Sequence, residues 1–407
     1  MPAGSVISPL VIAKGATVDQ TGEGTLFEHA PPAGLQQWLG LVRPDNLNIR
    51  RRALLVILVC WVPLIAFAIA QSPSTGADVI GSVFREVGLH ARYLIAAPLL
   101  VLAEAVCAPE LNAITRHFID GGIIADRDRA RFDEALASTR TLLQSNAAEV
   151  IVFALAYVLA LTAVLSHPPD QLPAWAVPVG VMPRYSLAGW WHMLVSLPLL
   201  LALVFGWFWR LALWGRLLRR ISHLELRLVA SHPDRCAGLR FLSHSVGAFA
   251  IVGLALASII AGRSAHVVLA GGGIPTPHLA FNVVLLVTIA ALFTAPLLAF
   301  TPTLMRAWRC GTLAYDALAE QVGHAFEGKW LAQKADQAAL DKPDFSATTD
   351  LYSVVANVHA IRFVPVELKD LIAIAAALLL PFVPVVLLAF PADVIWMQMK
   401  NLKSLLL

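Results

Sequence analysis

Residues 190–231 read WWHMLVSLPLLLALVFGWFWRLALWGRLLRRISHLELRLVAS. Apart from one histidine, the first half is apolar and uncharged as far as Arg210, and about 20 such residues are enough to cross a bilayer as a helix. Paired tryptophans open the stretch and three more follow, as is typical of side chains at the two membrane interfaces. Leucine and isoleucine keep helical spacing beyond Arg210. We therefore expect one helix that crosses the membrane and continues outside it to Ser231.

The composition of the whole chain also indicates a membrane protein. The chain has 407 residues, of which 58% are hydrophobic and 14% charged, and its mean hydropathy is +0.71. Soluble domains have about 25% charged residues. The formal net charge of +3 carries little information, because in membrane proteins the placement of Lys and Arg matters more than their sum. We expect the lipid bilayer as a partner and no nucleic acid.

Seven apolar runs are long enough, or nearly so, to span a membrane. They are Ala53–Gln71, Tyr93–Ala108, Ala148–Ser166, Trp190–Trp214, Phe241–Gly262, Leu279–Pro302 and Leu371–Phe390. The second run is short and the last holds two prolines, so the number of spans lies between six and eight. The predicted fold is an all-α polytopic membrane bundle of about seven helices with helical cytoplasmic extensions.

The placement of Lys and Arg predicts the orientation. Of the 30 Lys and Arg residues, 24 lie on the side of the N-terminus and 6 on the other side. Basic residues concentrate in cytoplasmic loops, so we expect a cytoplasmic N-terminus and, with seven spans, an external C-terminus.

The same pattern divides the chain into three parts. We expect a disordered cytoplasmic tail over residues 1–48, a bundle over 49–390 and a short amphipathic tail over 391–407. The bundle includes three helical cytoplasmic loops, at 109–147, 215–240 and 303–369.

The loop at 303–369 contains an apolar stripe with helical spacing. The stripe consists of Met305, Trp308, Thr312, Tyr315, Leu318, Val322 and Phe326. It predicts an amphipathic helix that continues the sixth span and breaks near Gly328. We expect Thr349 or Asp350 to cap a further helix that ends at His359.

The stretch SHPDRCAGLRFL, from Ser231 to Leu242, lies where the chain must turn back into the membrane. Pro233 suits the first position of a helix and Asp234 suits its first turn, so one interpretation is a corner between two helices. The other is a ligand or proton-relay cluster formed by His232, Asp234 and Arg235. One His and one Asp do not make a metal site.

Two runs in this region resemble a known family. GWWHMLVSLPLL…FWRLALWGRLLRRISHLELRLVASHPDRCAGLRFL (189–242) and PVELKD…LLLPFVPVVLL (365–388) are similar to an uncharacterised family of bacterial multi-pass inner-membrane proteins. The two runs cover under a fifth of the chain. The resemblance implies a membrane fold and an inner-membrane location, and it implies no activity or catalytic residue.

Four polar side chains within or beside the spans are candidates for a transport path or proton relay. Glu104 falls past the midplane if the second span begins at Arg92, or near the inner interface if that span is shifted. Arg210 can snorkel at the inner boundary or pair with Glu104. His192 suits belt packing or ligand binding, and His244 can line a cytoplasmic vestibule at the start of the fifth span.

No motif indicates a cofactor, a metal or an enzyme. Cys60, Cys107, Cys236 and Cys310 form no CxxC or Cys/His metal spacing, and no signature of a protease, hydrolase or nucleotide-binding site appears.

Three functions remain open. They are transport of an ion, proton or small solute near Glu104, a scaffold or sensor whose residues 303–369 bind a protein partner, and a membrane enzyme acting on lipid or envelope precursors. An enzyme is the least expected of the three, and a homo-oligomer is compatible with all of them.

Overall fold

A computed structural model describes residues 49–75, 79–166, 173, 175–176, 185–271, 276–331 and 344–389. The predicted tails at 1–48 and 391–407 lie outside these residues. Within them the chain is helical, and strand-like pairing is limited to one isolated bridge between Ile124 and Leu226.

Sixteen α-helices follow one another in the described ranges. They are α1 (Ile49–Cys60), α2 (Val62–Thr75), α3 (Val79–Arg85), α4 (Val87–His90), α5 (Ala97–Asp120), α6 (Arg129–Leu143), α7 (Asn146–Ser166), α8 (Leu187–Trp191), α9 (Leu197–Ser222), α10 (His244–Ala248), α11 (Ala250–Leu269), α12 (Thr276–Thr294), α13 (Thr301–Trp330), α14 (Asp344–His359), α15 (Leu368–Leu379) and α16 (Val383–Ala389).

Several of these helices join into longer apolar units. Among the described residues, seven units are long and apolar enough to cross a membrane: Ile49–Gln71, Val87–Asp120, Asn146–Ala163, Leu187–Ser222, Arg240–Leu269, His278–Trp330 and Leu368–Ala389. We call them spans 1 to 7. They confirm the all-α bundle of about seven helices. Helix α5 packs on α1, α9 and α11, so span 2 lies at the centre.

Prolines interrupt five of the spans. Pro98 and Pro198 each follow a π-helical segment, at Ala91–Ala96 and His192–Ser196 respectively. A proline ring clashes with the carbonyl four residues earlier and removes one helical hydrogen bond, and the wider π turn accommodates both effects. The hydroxyl of Tyr157 donates to the carbonyl of Leu194, which Pro198 leaves free (3.1 Å).

The remaining interruptions are of two kinds. Pro296 and Pro381 lie in 3₁₀ segments, at Ala295–Phe300 and Leu380–Phe382. Pro63 follows the break between α1 and α2. The bundle is therefore built largely from discontinuous helices.

The helix of span 4 ends earlier than the sequence predicted. It stops at Ser222 rather than Ser231, so residues 223–239 of the predicted helical loop at 215–240 are irregular. The backbone N–H of Ala125 donates to the carbonyl of Glu225, and that of Arg227 donates to the carbonyl of Ile123. These bonds hold the chain extended beside residues 123–125 in place of further helical turns.

Two other local expectations are wrong. Pro233 and Asp234 do not begin a helix, because the chain remains in turns until Arg240. Thr349 and Asp350 lie inside α14, which begins at Asp344, so neither caps it. The helix that continues span 6 is confirmed, and it ends at Trp330, two residues beyond the predicted break.

The cysteines provide a test of orientation. Cys60, Cys107 and Cys236 are buried, whereas Cys310 is exposed on α13. With the N-terminus cytoplasmic, a membrane-impermeant maleimide should label Cys310 in inverted vesicles and not in intact cells. Cys310→Ser should abolish the signal, and Leu187→Cys, at the opposite end of span 4, should be labelled from outside. Labelling of Cys310 in intact cells would contradict the orientation.

Candidate functional site

Three charged side chains from three spans meet inside the bundle. Arg52 lies on α1, Glu104 on α5 and Arg210 on α9. The Arg52 Nη2 donates to Glu104 Oε2 at 2.6 Å, and Arg210 Nη2 lies 3.6 Å from Glu104 Oε1. Each residue is at most 5% exposed. We call this group the Glu104 cluster. It confirms that Arg210 pairs with Glu104.

The Glu104 cluster carries more positive than negative charge. Two guanidinium groups contact the one carboxylate of Glu104. The Nε and Nη1 atoms of Arg52 are buried and have no hydrogen-bond partner among the described residues. The Arg210 guanidinium also lies over the ring of Trp207, 4.8 Å from its centroid. Buried guanidinium N–H groups without an acceptor are costly, so the Arg52 side of this cluster is suited to an additional anion.

The Glu104 cluster lies near one end of the spans. Arg52 is about 28 Å from Gln71 along a helix that rises 1.5 Å per residue, and span 1 ends at Gln71. The hydrocarbon core is about 30 Å thick. The cluster therefore lies near the end of the bundle at which span 1 begins.

A second buried polar group joins the two π-helical segments. The hydroxyl of Tyr93 and Nδ1 of His192 are 3.0 Å apart, and the ring of Trp175 contacts that of His192 edge-on at 5.6 Å. Tyr93 and His192 are both buried. Single π turns inside α-helices are frequent at functional sites. His192 therefore forms a buried hydrogen-bonded pair with Tyr93 and is not only part of an interfacial aromatic belt.

The two polar groups are separated by a packed apolar layer. Tyr93 and Glu104 are 11 residues apart, about 16 Å along span 2. Between them Ala97, Leu100 and Ala103 are buried. Near the Tyr93–His192 end, the hydroxyl of Ser196 donates to the carbonyl of Cys60 at 2.7 Å. Direct side-chain hydrogen bonds therefore do not connect the two groups through the described residues.

His244 does not join either group. Its side chain is exposed at the start of α10, whereas its neighbours point inward. Ser243 donates to Asp370 Oδ2 at 2.5 Å and accepts the backbone N–H of Glu367 at 2.7 Å. Ser245 donates to the carbonyl of Leu242.

Of the three residues predicted for the corner cluster, the structure brings the side chains of His232 and Asp234 together, and Asp234 is the centre of the corner. The Asp234 carboxylate accepts the backbone N–H groups of Cys236, Gly238 and Arg240 at 2.8–3.1 Å. It also lies 2.9 Å from His232 Nδ1. Arg235 contributes through its carbonyl, which accepts the N–H of Arg362.

The backbone of this corner is strained. Arg235 and Ala237 adopt φ of 56° and 54°, and Gly238 adopts 93°. L side chains rarely tolerate positive φ, so the bonds to Asp234 hold the turn in place. Partial burial raises the pKa of Asp234, but the three backbone N–H groups and His232 outweigh it and hold that pKa below its ordinary value.

Two contacts in these polar groups were not predicted from the sequence. In the sequence, Arg52 is one of several basic residues before span 1. Its contact with Glu104 follows from the packing of α1 on α5, which the sequence does not show. The other is the Arg240–Glu367 pair, joined at 2.5 Å, which lowers the pKa of Glu367 to about 2. The conspicuous PVELKD motif was the available signal for this second contact.

Comparisons with known proteins add no assignment: no family model, no curated protein and no solved structure matches this chain. The described residues also contain no group of three or more His, Cys, Asp or Glu side chains that could hold a metal ion. The class that the fold defines is a multi-span helical membrane protein.

Asp234→Asn tests the corner. Loss of the charge should weaken three backbone hydrogen bonds and destabilise the protein by about 1–3 kcal/mol. Because the pKa of Asp234 is lowered in the fold, its contribution is complete above the ordinary value of 3.8 and disappears as the pH falls through the lowered pKa. Thermal unfolding in detergent should show a difference from wild type that shrinks below pH 3.8.

Asp126→Asn is the matched control. Asp126 pairs with Arg227 at 2.7 Å, but its side chain is 92% exposed, so the change should cost less than about 1 kcal/mol. Equal effects of the two substitutions would show that Asp234 does not hold the corner.

Proposed function

We propose that this protein moves a small ion or solute across the membrane along a path that includes the Glu104 cluster. The observation that carries the proposal is the burial of two arginines and one carboxylate at a junction of three spans. Charged residues in membrane spans are costly and mark ion or substrate pathways. The buried Nε and Nη1 atoms of Arg52, which have no hydrogen-bond partner among the described residues, favour an anion as cargo.

The discontinuous helices support the same proposal. Transport sites are often formed where membrane helices are interrupted, and span 2 and span 4 are both interrupted beside the Tyr93–His192 pair. In this proposal the Glu104 cluster receives the anion from the inner side, and the Tyr93–His192 pair lies on the outer part of the path. The apolar layer between them is the barrier that a change of helix packing would open.

We further propose that this is a bacterial inner-membrane protein with a cytoplasmic N-terminus. The bias of 24 to 6 in Lys and Arg supports the orientation. The resemblance of residues 189–242 and 365–388 to bacterial inner-membrane proteins supports the location.

A partner-binding role is a second candidate, supported by the exposed outer face of α13. Leu313 is 75% and Leu318 43% exposed there, and exposed apolar patches often bind proteins. The opposite face is already occupied, because the hydroxyl of Tyr315 donates to Ser231 and Phe326 packs on Phe345. Much of the stripe that suggested a partner at 303–369 therefore serves the chain's own packing.

Anion flux in proteoliposomes tests the transport proposal. Wild-type protein should carry chloride or inorganic phosphate down an imposed gradient, monitored by a chloride-quenched dye or a phosphate sensor. Glu104→Gln leaves two buried guanidiniums without a carboxylate and should reduce flux to the leak of protein-free liposomes. Glu110→Gln removes an exposed carboxylate from the same helix and should leave flux unchanged.

Arg52→Gln provides a variant with a milder effect on folding, because it leaves one arginine paired with Glu104. The cluster is then neutral, so anion flux should fall although the protein remains monodisperse. Wild-type anion flux in this variant would contradict the role of the excess charge. Proton flux that persists when all anions are impermeant, followed with a trapped pH dye, would contradict the anion assignment.

A further inference from the structure

A groove separates the end of span 4 from the middle of span 6. Its volume is about 870 Å³, and its walls come from α9 and from the region between α12 and α13. Gly215 and Pro296 lie at its base, where a Cβ on Gly215 would be 3.7 Å from the proline ring. Phe208, Leu292 and Leu298 are 37–54% exposed along its walls. The groove therefore opens on the side of the bundle that faces lipid.

One end of the groove is basic and the rest is apolar. Arg216, Arg219 and His223 lie at the end of α9, and none of the residues that line the groove is acidic. The Nη2 of Arg216 donates to Ser138 at 3.1 Å, while its Nη1 is buried without a hydrogen-bond partner among the described residues. His223 bonds the carbonyl of Arg219 through Nδ1 at 2.6 Å, which leaves Nε2 for another contact.

The groove has the dimensions of a membrane lipid. From Phe208 to Arg219 is about 16 Å along α9, so the basic end lies at the level of the inner headgroups when the apolar walls lie in the hydrocarbon core. Basic residues at that level attract anionic headgroups, and an acyl chain would cover the exposed apolar walls.

We infer that this groove binds one phospholipid with an anionic headgroup, whose phosphate contacts Arg216 and Arg219 and whose acyl chain lies along Phe208 and Leu298. A free phosphate would satisfy the arginines but would leave the apolar walls uncovered. A zwitterionic lipid would cover the walls but would bring no net negative charge to the basic end.

A second groove has fewer basic residues and serves as a comparison. It lies between α1 and span 2, has a volume of about 540 Å³ and is lined by Arg50 and otherwise by apolar residues such as Leu54, Ile57 and Leu102. With one arginine at its edge it is suited to lipid of any headgroup. Headgroup selectivity is therefore expected at the groove of Arg216 and Arg219.

Native mass spectrometry of the delipidated full-length protein in detergent tests the inference. Titration with phosphatidylglycerol should give one saturable adduct, and phosphatidylcholine with the same chains should bind at least about tenfold more weakly. Arg216→Gln with Arg219→Gln should weaken phosphatidylglycerol binding to a similar degree. Arg220 lies in the same helical turn but does not line the groove, so the Arg220→Gln variant, which loses one positive charge, should bind as wild type does, whereas Arg219→Gln alone, with the same loss of charge, should bind more weakly.

Ala212→Trp tests the apolar part without a change of charge. Ala212 is exposed and lines the groove, so a large ring should fit without disturbing the core and should displace the acyl chain. Equal binding of the two lipids would overturn the inference. So would loss of the lipid adduct on addition of millimolar inorganic phosphate, which would identify a free-ion site, and so would a dimer that forms without lipid and excludes it.

Discussion

The contact of Glu104 with Arg52 and Arg210 is the constraint on which the bundle depends. It joins spans 1, 2 and 4 at a single point that is sealed from solvent. A carboxylate in this setting must be paired, because burying it alone would cost several kcal/mol or more. Arg52 also keeps two buried nitrogen atoms without a hydrogen-bond partner among the described residues, and this distinguishes the group from an ordinary structural ion pair.

The position of the Tyr93–His192 pair follows from the prolines. Pro98 and Pro198 each follow a π turn, and these turns present Tyr93 and His192 to each other in the centre of the bundle. A regular α-helix would rotate these side chains differently, because a π turn inserts one residue. The discontinuities thus create a polar pair about 16 Å from the Glu104 cluster along span 2.

The sequence was sufficient to predict the number and approximate position of the spans. An apolar run of this length has few alternatives to a membrane-spanning helix. For Arg210 the sequence left two alternatives open, snorkelling and pairing with Glu104, and the structure shows the pairing. Arg52 was not predictable as a partner, because its position among three consecutive arginines resembles an ordinary basic flank. The end of α9 was missed for a related reason: the spacing of Leu224 and Leu228 fits a helix, but backbone pairing of residues 225 and 227 with 123–125 competes successfully.

The corner after α9 is a second place where local sequence preferences predict the wrong structure. Pro233 and Asp234 fit a helix start by local rules, yet the carboxylate of Asp234 is used by three backbone N–H groups in a turn with positive φ at Arg235 and Ala237. The N–H of Arg362, which reaches the carbonyl of Arg235, adds a contact from a distant part of the chain to the bonds that hold this conformation. Contacts that join distant parts of the chain cannot be derived from local preference.

The most direct measurement compares the stability and anion flux of Glu104→Leu with those of a triple variant, Arg52→Leu, Glu104→Leu and Arg210→Leu. Removing only the carboxylate leaves two buried cations and should cost about 3–5 kcal/mol, whereas replacing the whole group with apolar side chains should restore most of that stability. We expect the triple variant to fold and to carry no anion. A folded triple variant with wild-type flux would contradict the central claim that the Glu104 cluster serves transport.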